Sequence, residues 1–403
     1  MTLLFWLSAV VIAYVYVGYP LILRAWAALC SRPVGGGNAG LATPGVSIVI
    51  AAHNEAGRLP ARIDNLLSLD YPADRRQIIV VSDGSTDDTV DVLRKYGPLV
   101  DVVAVAHGGK AAALNAAKPR ARFDIVVFAD ARQAFAPDAL GELVAPFADA
   151  RIGGVTGELL LDCESALFSN RRDTADRRRG HASQLGAVAM DRRLHADRRR
   201  SIVSTIADGV GMYWRYEKEL RRLESAVGST LGATGAIYAI RRALWQPLPP
   251  DTILDDVLTP MRVVMSGYRV VFNEKARAFD RAAVDAEAES RRKVRTLAGN
   301  YQILRLEPSL LLPWRNPVWI QYLSHKVGRL AVPYALVAVF CANLPIASTH
   351  VIYQATLVAQ VAFYLLAGYG ALLEFMSRDD AIVAAADVRA ASPSTAQAAK
   401  GAA

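Results

Sequence analysis

The chain has 403 residues, of which 53% are apolar and 21% charged, with three cysteines and a formal net charge of +8. That length leaves room for two domains, and the apolar content with a positive mean hydropathy exceeds that of an ordinary soluble protein, so membrane segments are expected. Cys30, Cys163 and Cys341 lie too far apart for a metal-ligand spacing, which argues against a disulfide framework and fits a reducing compartment. The basicity is local: residues 170–200 hold ten Arg against four Asp, so the net charge does not call for a nucleic-acid partner, and none is expected.

In chain order, Leu3 to Leu23 carries no charged residue and is followed by Arg24 and Arg32, which predicts a transmembrane helix within residues 1–29. A cleaved signal peptide is the alternative; no basic residue precedes the run and no clear small-x-small cleavage site follows it. Residues 30–45, rich in Gly, read as a linker. From Val46 a βα rhythm begins, with strands expected at 46–51, 77–81, 100–105, 125–129 and near Val155, and helices at 58–69, 86–96, 110–118 and 137–147. The stretch 163–207, with its repeated Asp-Arg-Arg, interrupts that rhythm and reads as a mobile, solvated insertion or as a basic arm for anionic lipid headgroups or an acidic partner. A helix over 213–224 with charges on its outer face, a Gly-rich turn feeding a strand at 237–240, a helix opened by 253–257 and two edge strands at 269–272 and 276–279 complete a domain spanning 46–290.

Val294, Leu297, Tyr301 and Leu304 recur at helical spacing beside several Arg, and Trp314, Trp319 and Tyr322 follow, so 291–329 reads as amphipathic, interfacial helices. No Lys, Arg, Asp or Glu occurs between Arg329 and Glu374, which predicts two transmembrane helices over 330–375 and leaves 376–403 as a flexible cytoplasmic tail. Arg24, Arg32, Lys326 and Arg329 flank the segment between the spans, which places it in the cytoplasm of a multi-pass protein of the cell (inner) membrane.

Candidate chemistry gathers at the predicted strand ends. Ala51-Ala-His53-Asn-Glu55 closes the first strand and Asp83-Gly-Ser-Thr the second, where Gly84 permits a tight turn and Asp83 can accept hydrogen bonds from a base or ribose. Gly108-Gly-Lys110 opens a helix, with a cation able to lie near a diphosphate. Asp130 ends the strand 125–129, where a metal ion or sugar-nucleotide can meet it, although a cap for the next turn fits the same residue. Gly232-Ala-Thr234-Gly235 allows close backbone approach, Asp255-Asp256 follows, and Arg292 and Arg295 add late positive charge. Each piece alone is an ordinary turn or cap; the ordered set is harder to explain that way.

The set resembles the membrane-bound, inverting glycosyltransferases of family 2 with a GT-A fold, relatives of cellulose and hyaluronan synthases. The likeness covers about residues 46–330. It implies an α/β fold, a GT-A nucleotide-diphospho-sugar transferase-like doubly wound mixed sheet with transmembrane helices at both ends. It also implies that residues 51–55, including His53 and Glu55, and Asp83 hold the nucleoside, that Lys110 sits in the donor pocket, and that Asp130 is the first Asp of a metal-binding Asp-x-Asp element. Thr234-Gly235-Ala236 would line the acceptor side, Asp256, beside Asp255, would be the general base, and residues 292–296 would stand in the place of Gln-x-x-Arg-Trp. A divalent cation, Mn or Mg, is the implied cofactor; Arg132 stands where the second Asp is expected, so one ligand is missing or supplied elsewhere. Arg292 and Thr296 replace the Gln and Trp of the late motif, which favours addition of one or a few sugars over long polymers. The partners implied are a nucleotide-sugar donor and a lipid-linked or saccharide acceptor, with a catalytically silent nucleotide-sugar-binding protein and a processive synthase as alternatives.

Overall fold

The computed structural model describes residues 1–35, 43–162, 213–281 and 286–391. The expected Arg-rich insertion, much of the Gly-rich linker and residues 392–403 lie outside them. The chain falls into two compact units, one of Val15–Leu330 and one of Met1–Tyr14 with Ala331–Ala403.

The larger unit is built on one eight-stranded sheet. Its strands are β1 (Val46–Ala52), β2 (Arg76–Asp83), β3 (Asp101–Val105), β4 (Ile125–Ala129), β5 (Ala134–Phe135), β6 (Ile152–Asp162), β7 (Ile237–Arg241) and β8 (Arg269–Arg281), in the order β3-β2-β1-β4-β7-β6-β8-β5. The first four run parallel, β7 lies antiparallel between β4 and β6, and β8 runs parallel to β6. Both faces of the central strands are covered, which is why they read as unbroken apolar runs. Ile125, Val127 and Ala129 join one core with Ile63, Leu66 and Leu140, whereas Val126 and Phe128 join the other with Leu114, Leu258 and Met261.

The helices that supply these layers are α3 (Leu59–Leu67) and α6 (Ala139–Val144) on one face, and α5 (Gly109–Ala117) and α8 (Asp255–Met265) on the other. In chain order they share the unit with α2 (Tyr19–Cys30), α4 (Thr89–Arg94), α7 (213–227) and α9 (Ala286–Leu306). Sequential order reverses between β1 and β4, the kind of switch point outside whose carboxyl ends ligands bind in open α/β sheets.

Two expectations for this unit change. The two edge strands over 269–279 are one strand, β8, which lies inside the sheet next to the two-residue edge β5. The polar stretch at Asn273–Lys275 that reads as a break is a bulge: pairing jumps from Thr156 opposite Phe272 to Glu158 opposite Arg277, and Asn273 Nδ2 donates to the Glu142 carbonyl at 2.8 Å. On α7 the charges are not confined to an outer face, since Glu224 is buried beside Leu220 and Leu223.

Among the described residues, three helices are long and apolar enough to cross a membrane: Thr2–Cys30, Trp319–Asn343 and Val351–Leu372. The first comprises α1 (Thr2–Ala13) and α2, joined by a π-helical turn; the second, α10 (Trp319–Asn343), carries a π-helical turn at Tyr322–Val327. The third begins α11 (Val351–Ala391), which stays helical through the Ala-rich stretch where the sequence predicts a flexible tail from 376; Ala is the strongest helix former. In the smaller unit Phe5, Val339, Ala342 and Ile346 form a core, and buried Asn343 Nδ2 donates to the Tyr353 carbonyl and to Thr356 Oγ1, both at 3.1 Å.

Candidate active site

The loops after β1 and β2 are sewn together by Asn54. It takes the left-handed conformation (φ 54°), which Asn tolerates better than most residues, and its Oδ1 accepts the Thr86 N–H at 2.8 Å. Glu55 is tied in place by its own N–H to Thr89 Oγ1 at 2.9 Å and by an ion pair with Arg58 at 2.7 Å. Gly84 has φ +60°, and a Cβ there would stand 2.6 Å from the His107 backbone nitrogen, so the turn after Asp83 requires glycine.

Asp83 is buried at the N-terminus of α5, where its two carboxylate oxygens accept the N–H groups of Gly108 at 2.7 Å and Gly109 at 2.9 Å. The positive end of the helix favours that charge. His53 Nδ1 lies 2.6 Å from the Asp83 carbonyl oxygen and His107 Nδ1 3.1 Å from Asp83 Oδ2, with the two imidazoles 4.7 Å apart. Ligand atoms of these three residues lie within 4.8 Å of one another. Hydrogen bonds within the protein already account for that clustering, and each carboxylate oxygen keeps acceptor capacity for a further donor.

Lys110, the second residue of α5, joins this turn to a set of carboxylates. Its Nζ donates to Asp130 Oδ1 at 3.1 Å and lies 3.2 Å from Asp255 Oδ1. Burial by itself lowers the lysine's pKa, but Asp255, Asp130 and Asp256 outweigh it and hold the group above the usual lysine range, so Lys110 stays charged. Asp255 is 3% exposed, and its Oδ2 has no hydrogen-bond partner among the described residues. Asp130 and Asp256 are half-buried, whereas Arg132 is exposed.

Asp256 sits against the turn Gly232–Gly235. Its carbonyl accepts the Ala233 N–H at 2.7 Å, and a Cβ on Gly235 would stand 2.8 Å from Asp256 Oδ2. Burial, then the neighbouring Asp255 carboxylate, push Asp256 up to about 6 against the opposing pull of Lys110 and Lys326. Thr234 is buried and braced: its hydroxyl donates to the Gly157 carbonyl at 3.0 Å and accepts from Arg221 Nη1 at 2.7 Å.

The structure therefore brings Lys110, Asp130, Asp255, Asp256 and Gly235 together, with Asp83 joined to them through the start of α5. Arg292 and Arg295 stay exposed on α9, with the Arg292 guanidinium 5.5 Å from the Trp214 ring centre, outside the buried set that Lys110 organises. What α9 does fix is the approach to Asp255: Gln302 accepts the Ile253 N–H and donates to the Asp251 carbonyl, both at 2.9 Å. His107, Arg221, Gln302 and Lys326 escape sequence reasoning. Only His107, three residues before Lys110, carries a local signal. A cavity of about 410 Å³ between α2 and α7 is lined in part by Tyr16, Leu21 and Leu220 and contains none of the candidate residues.

Residues 47–221 match the family model described as Glycosyl transferase family 2. The chain is 35% identical over 139 residues to a beta-monoglucosyldiacylglycerol synthase of Synechocystis sp., covering 33% of this chain and 29% of that one. It is 24% identical over 264 residues to a poly-beta-1,6-N-acetyl-D-glucosamine synthase of Staphylococcus aureus, covering 64% and 55%. The chain thus spans between about a third and about half of the length of these curated relatives. Among solved structures, a mannosyltransferase from Pyrobaculum calidifontis in complex with GDP-Man and Mn2+ superposes with a TM-score of 0.62 at 21% identity, over 90% of this chain and 92% of that one. The shared fold is the GT-A-like mixed α/β sheet, and the likeness to glycosyl transferase family 2 covers residues 47–221.

Proposed function

We propose that the protein is an inverting glycosyltransferase that moves a sugar from a nucleotide-diphosphate-sugar to a lipid-linked or membrane-proximal acceptor. The observation that carries this reading is Asp256, a carboxyl group pushed up to about 6 and seated on the Gly232–Gly235 turn beside the charged Lys110. A base with that pKa is largely ionised at neutral pH and still takes a proton readily.

Asp83 and the His53 and Glu55 loop hold the nucleoside, using the acceptor capacity that remains on the Asp83 carboxylate. Lys110 lies where negative charge develops on the departing diphosphate and stabilises it without reorganisation. Asp256 takes the proton from the acceptor hydroxyl as that oxygen attacks the anomeric carbon from the face opposite the leaving group, which inverts the centre. Thr234 and Gly235 hold the base in position. Arg292 and Arg295 supply positive charge at the rim of the donor side.

A divalent cation fits these residues. The unpartnered Oδ2 of Asp255 and the half-buried carboxylate of Asp130 are the hard oxygen ligands that Mn or Mg takes, whereas Arg132 supplies none. When bound, the ion would neutralise diphosphate charge. The three apolar helices and the basic residues flanking 30–329 support a multi-pass protein of the inner membrane with its catalytic domain in the cytoplasm. The name of the Synechocystis relative supports a lipid acceptor.

The test offers purified protein in detergent a panel of nucleotide-sugars and reads released nucleoside diphosphate with and without manganese or magnesium. Release with one donor, lost in Asp256→Asn, is the expected result. No release and no binding of any donor would remove the reading.

A further inference from the structure

The cavity of about 410 Å³ between α2 and α7 has walls that the transfer chemistry leaves unused. Its volume is within the range of small-molecule sites. The floor is apolar: Pro20, Leu220 and Leu223 are buried there, while Val17 and Leu21, each more than half exposed, form the outer lip. Each wall also brings an exposed guanidinium, Arg24 from α2 and Arg215 from α7. One carboxylate in the lining opposes them, Glu219, and it is already shared, 3.9 Å from Arg24 and 3.3 Å from Arg222. The groove thus combines an apolar floor with a surplus of positive charge.

The π-helical turn Tyr14–Gly18 supplies Tyr16 and Val17 to one wall, and the Tyr216 hydroxyl donates to the Tyr16 carbonyl at 3.3 Å. Such inserted turns often mark functional positions. The wall on this side continues the helix Thr2–Cys30, which is apolar enough to cross a membrane, and Arg24 is the first charge after its uncharged run. A chain held in a bilayer by that helix meets phospholipids at this lip, and a guanidinium pairs with phosphate through a fork of N–H donors. We propose that the groove binds one anionic glycerophospholipid, its phosphate served by Arg24 and Arg215 and the start of an acyl chain laid on Pro20, Leu220 and Leu223. The lipid braces α7 without entering the transfer site. From the same helix Arg221 holds the Thr234 hydroxyl at 2.7 Å, next to the Gly235 that presses on Asp256.

The experiment uses the full chain, stripped of lipid in neutral detergent, and offers dioleoyl phosphatidylglycerol or dioleoyl phosphatidylcholine, whose acyl chains are identical. Bound lipid is counted by native mass spectrometry, and affinity is read from thermal melts across a lipid titration. The parent is expected to retain one phosphatidylglycerol and to bind it about tenfold more tightly than phosphatidylcholine, the order that two cations partly offset by one carboxylate produce at a lipid surface. Replacing both arginines, Arg24→Gln with Arg215→Gln, should bring the two lipids to within about twofold of each other. The pair Arg24→Lys with Arg215→Lys should keep most of the preference. Without lipid the Gln variant should melt with the parent, because both guanidiniums are exposed and the 3.9 Å pair with Glu219 is weak. As a check that needs no variant, added NaCl should erase the preference in the parent. Equal or tighter binding of phosphatidylcholine by the parent overturns the proposal. So does a preference for phosphatidylglycerol that survives in the Gln variant, which would place the anionic lipid elsewhere on the chain, or a lipid-free dimer that the Gln variant abolishes, which would give the groove to a second copy.

Discussion

Replacing Asp256 by Asn is expected to stop transfer and to stabilise the fold at the same time. The carboxyl rises from 3.8 to about 6 in the folded protein, chiefly through burial and the adjacent Asp255. A shift of about two units at ~1.4 kcal/mol each means that keeping Asp256 ionised at pH 7 costs the folded state at most about 3 kcal/mol. The sign follows from proton affinity: the folded protein holds this proton more tightly than the unfolded chain. Its stability therefore gains as pH falls from about 6 towards 4 and loses as pH rises through about 6. Asn resembles the neutral carboxyl, so Asp256→Asn should melt a few degrees above the parent at pH 7, and the gap should close as the pH approaches 4. Turnover should fall by ~100-fold or more in the variant, and in the parent by about tenfold for each pH unit below 6. Thermal melts of both proteins across pH 4–8, with product formation measured on the same samples, decide the matter. A variant less stable than the parent at pH 7, or one that turns over normally, would show that this carboxylate is neither strained nor the base.

Lys110→Met leaves the Asp130 and Asp255 carboxylates facing each other without their shared cation, and chemical denaturation at pH 7 should show a loss of about 3–5 kcal/mol that lessens on acidification. Gly235→Ala puts a methyl group 2.8 Å from Asp256 Oδ2 and should lower turnover about 100-fold by displacing the base, while donor binding, read by titration, stays near that of the parent. Gly84→Ala forces a left-handed residue against the His107 backbone, and a melt should report a loss of about 1–3 kcal/mol together with weaker nucleotide binding.

How legible the fold is from sequence varies with how local its cause is. The strands 46–52 and 125–129 announce themselves because their continuous apolar runs are buried on both faces, and the acidic or polar residues at their ends mark the carboxyl edge of the sheet. At β8 the same reasoning fails. Asn273–Lys275 has the composition of a turn, and only the opposing strand, with its register jump at Thr156 and Glu158, turns it into a bulge. Charges on α7 mislead for a similar reason: helical spacing shows that Glu217, Arg221 and Glu224 share a face, but not that the face is turned towards His325 and Arg329.

By itself the amino-acid order determined which acidic and basic residues sit at strand tips and helix starts, because backbone periodicity and turn chemistry act over a few residues. It also determined where the apolar stretches long enough for a bilayer lie. Only the tertiary structure decided that Lys110 bridges Asp130 and Asp255 and that Gly235 presses on Asp256. Those relations depend on the order β1-β4-β7 across the sheet and on the packing of α8 against it, and contacts between segments far apart in the chain have no local signature.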